Sequence, residues 1–208
     1  MKKNIKIDLY ADISCPWCYI GSFFLNKAIK NKNSYKYKVY WRTFYLNPNI
    51  PFSGLDRNKY LENKFGYEKN IILNQITKIA RIEKIPINLN KIYKTPNTFY
   101  AQQFIQNLSK ENLNKGYNFA NALMKDYFAN GKDIGNIDYL FSIVEKYTDN
   151  DPQKLFEDIK ASFKDIKLIA KHQINGVPVF IFNDQWTISG AQSSKVIENT
   201  IDLAGNDN

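Results

Sequence analysis

The 208-residue sequence predicts an α/β fold in which a small sheet is interrupted by a long helical segment. Three observations predict it. Ile5 to Ala11 alternates apolar and polar side chains at the period of a strand, and from Trp17 the spacing becomes that of a helix. From about Arg57 to His172 no stretch has strand character of comparable quality, while helical periods recur. From Gly176 the chain returns to strand. The order is therefore β-α-β, a helical block, then β-β-α.

Each element has a local reason. Asp12 to Ser14 breaks the first strand, and Cys15-Pro16-Trp17-Cys18 opens a helix in which Tyr19, Ile20, Phe23, Phe24, Ala28 and Ile29 share a face. Tyr35 to Leu46 is rich in Tyr, Val, Trp and Phe and reads as the second strand, ended by Asn47-Pro48-Asn49-Ile50-Pro51. Ile71 to Glu83 is periodic in Ile72, Ile76, Ile79 and Ala80. Asn97-Thr98 caps a helix from Phe99 to Leu108, and Leu113 to Asn130 forms another that stops at Gly131, a C′ residue. Asn136 to Tyr147 is helical. Asp151-Pro152 pairs a cap with a first-turn proline and leads a helix to about Ser162, and Phe163 to Gln173 continues helical. Gly176-Val177-Pro178 leads into Val179–Phe182, Asn183-Asp184-Gln185 turns the chain, and Trp186–Ser189 is the partner strand. Gly190-Ala191 is expected to open a last helix through Val196, Ile197 and Ile201. Residues 1–56 and 173–208 are expected to form one discontinuous unit and 57–172 an inserted helical one.

Composition narrows the function classes. With 44% hydrophobic and 15% aromatic residues, the chain has material for a packed core, and long disorder is not expected. No run approaches the ~18 apolar residues of a membrane helix, which excludes a spanning segment and leaves no membrane partner to expect. Met1-Lys2-Lys3 has the charge of a signal n-region, but Lys6 and Asp8 interrupt Ile5, Ile7 and Leu9, so no secretory signal and a cytoplasmic location are expected. The net charge of +9 raises the question of nucleic acid. Nearly all of it is lysine, scattered among Asn and Ile, and only Arg42, Arg57 and Arg81 carry the guanidinium fork that reads phosphates and guanines. No specific nucleic-acid partner is expected.

The chemistry concentrates in two cysteines, Cys15 and Cys18. Three positions apart, they close no loop that would staple a scaffold. A C-x-x-C is half of a structural zinc site, but four ligands are needed and the chain adds only His172. An inert pair is the third reading, and the position at a helix start weighs against it. His172 reads as a solvated or capping residue and Asp12 as a turn or cap residue able to modulate a nearby thiolate. Phe99, Tyr100, Phe104, Tyr117, Phe119 and Tyr127 read as core. Arg42 suits a carboxylate partner that the sequence does not name.

The order of elements resembles the thioredoxin fold with a large all-helical insertion, as in the DsbA family. Asp12-Ile13-Ser14-Cys15-Pro16-Trp17-Cys18-Tyr19-Ile20-Gly21 is similar to the FrnE-type branch of that family. So are Trp41-Arg42-Thr43-Phe44-Tyr45-Leu46-Asn47-Pro48 at the second strand, and Tyr127-Phe128-Ala129-Asn130-Gly131-Lys132-Asp133-Ile134 in the insertion. Gly176-Val177-Pro178-Val179-Phe180 resembles the cis-proline strand, and Ser189-Gly190-Ala191-Gln192 the start of the last helix. The branch often has a histidine just after the position of Ala101; Gln102 stands there, so that histidine's role does not carry over. Relatives of the 2-hydroxychromene-2-carboxylate isomerase and kappa-class glutathione transferase type have serine where Cys15 stands. Two sulfurs here favour thiol–disulfide chemistry over glutathione-dependent isomerisation.

Thiol–disulfide exchange needs one thiolate to attack and a second thiol to resolve the mixed disulfide. Unpaired N–H groups at a helix start favour the anion, so Cys15, nearer solvent, is expected to be the nucleophile and Cys18, a turn inside, the resolving thiol. Pro16 fits the first helical turn, and Trp17 shapes access. The resemblance implies a cis Val177–Pro178 bond that places Val177 against the sulfurs as a substrate-facing residue. The expected activity is that of a protein-disulfide oxidoreductase or isomerase acting on protein or small-thiol disulfides, with glutathione among the candidate partners. It calls for no cofactor and no metal. Two other classes compete: a glutathione-dependent or polyketide/aromatic isomerase, and a chaperone-like binder using an aromatic cleft.

Overall fold

A computed structural model of the chain describes residues 2–162 and 174–206. In chain order it contains β1 (Asn4–Ala11), α1 (Pro16–Asn31), β2 (Lys36–Thr43), β3 (Leu55–Asp56), α2 (Arg57–Phe65), α3 (Lys69–Glu83), β4 (Lys94–Thr95), α4 (Phe99–Glu111) and α5 (Leu113–Asn130). These are followed by α6 (Ile137–Val144), α7 (Pro152–Ser162), β5 (Val179–Phe182), β6 (Trp186–Ser189) and α8 (Ser194–Asn206). The four-stranded sheet has the order β2-β1-β5-β6. β1 runs parallel to β2, with Asn4 opposite Lys36 and Ala11 opposite Thr43, and antiparallel to β5, with Leu9 opposite Phe180. A second, two-stranded sheet pairs Leu55–Asp56 with Lys94–Thr95. The chain thus has a thioredoxin-like sheet with helical segments between β2 and β5, relieved only by the short β3–β4 pair among the described residues.

The alternation of β1 decides its two faces. Ile5, Ile7, Leu9 and Ala11 are fully buried with Ile20, Leu25 and Ala28 of α1 and Ile197 and Ile201 of α8 in one core. The odd member of the other face is Asp8, buried despite its charge. Arg42, on the neighbouring strand, donates its Nε–H to Asp8 Oδ1 at 2.5 Å, and Lys6 Nζ lies 3.1 Å from Oδ2. Asp8 is the partner that Arg42 lacked in the sequence.

Helix ends follow their caps. α5 stops at Gly131, whose φ of 70° lets its N–H and that of Lys132 turn back to the carbonyls of Tyr127 and Asp126. At α4 the division of labour is unexpected: Asn97 Oδ1, not Thr98, accepts the Phe99 N–H. The last helix begins at Ser194, later than the Gly190-Ala191 start that the sequence suggests. Gly190 has φ 78°, and its N–H bonds back to the Pro178 carbonyl at 2.8 Å, so it extends the hairpin instead of opening a helix. The turn between β5 and β6 places Asn183 and Asp184 at φ 48° and 60°, where short polar side chains are tolerated. The helix expected over Phe163 to Gln173, and His172 with it, lies outside the described residues.

Candidate active site

β1 aims its last residues at the site. Asp12 leaves the strand, and its carbonyl accepts the Cys15 N–H at 3.1 Å, closing a turn that sets Cys15 as the N-cap of α1 with extended φ and ψ of −87° and 118°. Pro16 follows in the first turn, where its missing N–H costs little. Trp17, partly buried, packs against the core. Cys18 comes one turn in, and both cysteines are free thiols.

The two sulfurs stand in opposite environments. The neighbouring Cys18 thiol and the backbone N–H groups of Cys18 and Trp17 favour the Cys15 thiolate, so the Cys15 thiol is held below its ordinary range against the opposing effects of burial and the Asp12 charge. Burial first, and then the hydrogen bond to Cys15 and the charge there, push the Cys18 thiol well above its ordinary range. Cys15 is the more exposed of the two, as its place at the helix start implies, but the margin is narrow: 4% against 0% for Cys18. The Val177–Pro178 segment closes over it: the Val177 carbonyl oxygen lies 4.0 Å from Cys15 Sγ, and the Val177–Pro178 peptide is cis. Val177 is half-buried and Pro178 buried. Electronic character, more than exposure, separates the two cysteines.

Gly21 escaped the sequence reading, and Asp12 and Gln102, both named there, hold contacts that it did not give them. Gly21 lies on α1 where a Cβ would come within 3.0 Å of Phe180 and 3.1 Å of Pro178, so its bareness lets the proline strand approach the helix. A glycine inside an amphipathic helix was the available signal. Asp12 is 1% exposed and does more than cap a turn. Its Oδ1 accepts the Ser14 N–H at 2.8 Å and the Ser14 hydroxyl at 3.0 Å, while Oδ2 accepts the Leu46 N–H at 2.8 Å and the Thr98 hydroxyl at 3.3 Å. Burial pushes its carboxyl up, and these donors oppose that rise. Gln102, fully buried, donates to the Ala11 carbonyl at 3.3 Å and accepts from Trp41 Nε1 at 2.8 Å. Nothing in sequence spacing ties residues 98 and 102 to residues 11 and 12. Among the described residues no group of three or more His, Cys, Asp or Glu stands together so as to hold a metal ion.

A dithiol at the first turn of the helix after β1, faced by a cis-proline strand on this sheet, defines a thioredoxin-like protein. Residues 6–202 match the DSBA-like thioredoxin domain family, and the chain belongs to it. Uncharacterized protein YwbO of Bacillus subtilis (strain 168) is 26% identical over 205 residues, covering 95% of this chain and 96% of that one. The probable DsbA oxidoreductase SCO1869 from Streptomyces coelicolor superposes with a TM-score of 0.84 at 18% identity, over 98% of this chain and 91% of its own. Cytosolic disulfide reductase DsbM from Pseudomonas aeruginosa, solved with GSH, superposes at a TM-score of 0.57 and 13% identity, over 96% and 95% of the two chains. No helix among the described residues is long and apolar enough to cross a membrane.

Proposed function

We propose that the chain is a thiol–disulfide oxidoreductase in which Cys15 attacks and Cys18 resolves. The Cys15 thiolate attacks one sulfur of a substrate disulfide, forming a mixed disulfide and releasing the other substrate sulfur as a thiol once it takes a proton. Cys18 then gives up its proton and attacks the Cys15 sulfur. The Cys15–Cys18 bond forms, the second substrate thiol leaves, and two electrons have passed from the pair to the substrate. The reverse sequence oxidises a dithiol. The observation that carries this reading is the placement of the pair: two free thiols on the first turn of α1, Cys15 at its N-cap under the cis Val177–Pro178 segment and Cys18 one turn in, with the Cys15 thiol drawn down and the Cys18 thiol pushed up.

Val177 and Pro178 form the wall against which an extended substrate backbone lies, and Pro16 and Trp17 border the approach. Protein disulfides and small-thiol disulfides are the substrate classes. Glutathione disulfide belongs among the latter, with glutathione as its product, a choice supported by the fold relative solved with GSH. Insulin reduction tests the assignment. Cys15→Ser should abolish it, and Cys18→Ser should leave a mixed disulfide on Cys15 that mass spectrometry detects. Undiminished reduction by Cys15→Ser rejects the reading. The reduction potential of the pair then sets the direction of electron flow.

A further inference from the structure

Helix α4 presents a polar edge to the sheet. Thr98, Gln102 and Gln106 recur at a spacing of four and so share one face. The Thr98 hydroxyl donates to Asp12 Oδ2 at 3.3 Å. Gln102 Nε2 donates to the carbonyls of Ala11 at 3.3 Å and Phe44 at 3.5 Å, and its Oε1 accepts from Trp41 Nε1 at 2.8 Å and Thr43 Oγ1 at 3.3 Å. Gln106 Nε2 reaches Thr43 Oγ1 at 3.0 Å. A helix docked for stability alone would bury apolar side chains here. A buried amide with its donors and acceptors filled fixes one relative placement. Thr98 is the N-cap residue of α4 but makes no capping bond, and its hydroxyl is turned to Asp12 instead.

We propose that the helical insertion sets the reactivity of the cysteine pair through Thr98, the N-cap residue of α4, and Gln102, one turn into that helix, positioning residues that grip Ala11 and Asp12, the link between β1 and the cysteine loop. This rests on the oxidoreductase reading for its biological meaning, not for its measurement. Asp12 divides its oxygens. Oδ1 holds the cysteine loop through Ser14, and Oδ2 holds the end of β2 and the insertion through Leu46 and Thr98. A shift at α4 therefore reaches the sulfurs through one carboxylate. The groups that feel the charge of Asp12 are Cys15 and Cys18 on α1, Tyr45 after β2 and Tyr127 on α5. Arg57, the buried cation nearby, bonds to Tyr127 at 3.0 Å.

The test is the pH midpoint of Cys15 alkylation in the full-length reduced chain, with circular dichroism as the fold control. Thr98→Val keeps the shape and removes the donor. One of the donors that hold Asp12 in place and tune its charge is then gone, and the Cys15 midpoint should shift by roughly half a pH unit. Thr98→Ser should restore the wild-type midpoint. An unchanged midpoint in folded Thr98→Val overturns the proposal, and so does an equal shift in Thr98→Val and Thr98→Ser. Thr98→Ala replaces the valine variant if that one does not fold. Failure of the wild-type chain to reduce any disulfide would sink the oxidoreductase reading while leaving this midpoint measurable.

Discussion

At Cys15 the donors converge on one sulfur: the S–H of Cys18 and two backbone N–H groups of the first helical turn. The Cys18 thiol comes first among them, so the nucleophile depends on its neighbour as well as on the helix. Cys18→Ala should therefore raise the alkylation midpoint of Cys15, and Cys18→Ser, which keeps a donor, should raise it less. In the wild type the midpoint of Cys15 should fall below that of a free thiol, about 8.5. Cys18 should resist alkylation at pH values where Cys15 reacts fully, and peptide mapping by mass spectrometry separates the two. Spacing and a helix start were enough to find both cysteines in the sequence. Their order of acidity was legible too, but its main cause was not, because a hydrogen bond between two thiols depends on rotamers that spacing does not encode.

Close approaches at single glycines govern how elements meet. On α5, a Cβ at Gly116 would stand 2.7 Å from the Ile105 carbonyl oxygen and 1.9 Å from Ser109 Oγ. Gly116→Ala gains about 1 kcal/mol of helix propensity. Separating α4 from α5 costs about 1–3 kcal/mol. A net loss in urea stability is expected, and a stabilised variant would show that the pair has slack. Gly21→Ala acts nearer the chemistry: it presses on Pro178 and Phe180, so disulfide exchange should slow more than global stability falls. Element by element, sequence legibility followed the strength of the local signal. α5 was readable to both its ends because Leu113–Asn130 is strongly periodic and Gly131 stops it. α2 was not, because Arg57–Phe65 buries only Arg57 and Leu61 and carries almost no apolar stripe. The last helix was started too early because Gly190-Ala191 resembles a helix opening, while the Gly190–Pro178 hydrogen bond belongs to the hairpin.

At the scale of the whole molecule, the tyrosines set an alkaline limit. Burial pushes Tyr19, Tyr45 and Tyr127 up to about 12, and Tyr117 is raised as well. In the unfolded chain they ionise near 10. Between pH 10 and 12 the unfolded chain sheds protons that the folded one keeps, so stability must fall as pH rises through that window. Urea midpoints at pH 9 and 11 measure the slope, and Tyr127→Phe should flatten it, since a phenyl ring has no proton to lose. The folded chain is also joined in a way that constrains any attempt to rebuild it. Because α4 meets the sheet through Gln102 and Gln106 matched to Trp41 and Thr43, as well as through apolar side chains, a graft of a foreign helical segment would arrive without the right donors. Such a chimaera would have to carry helix and strand together as one inherited set.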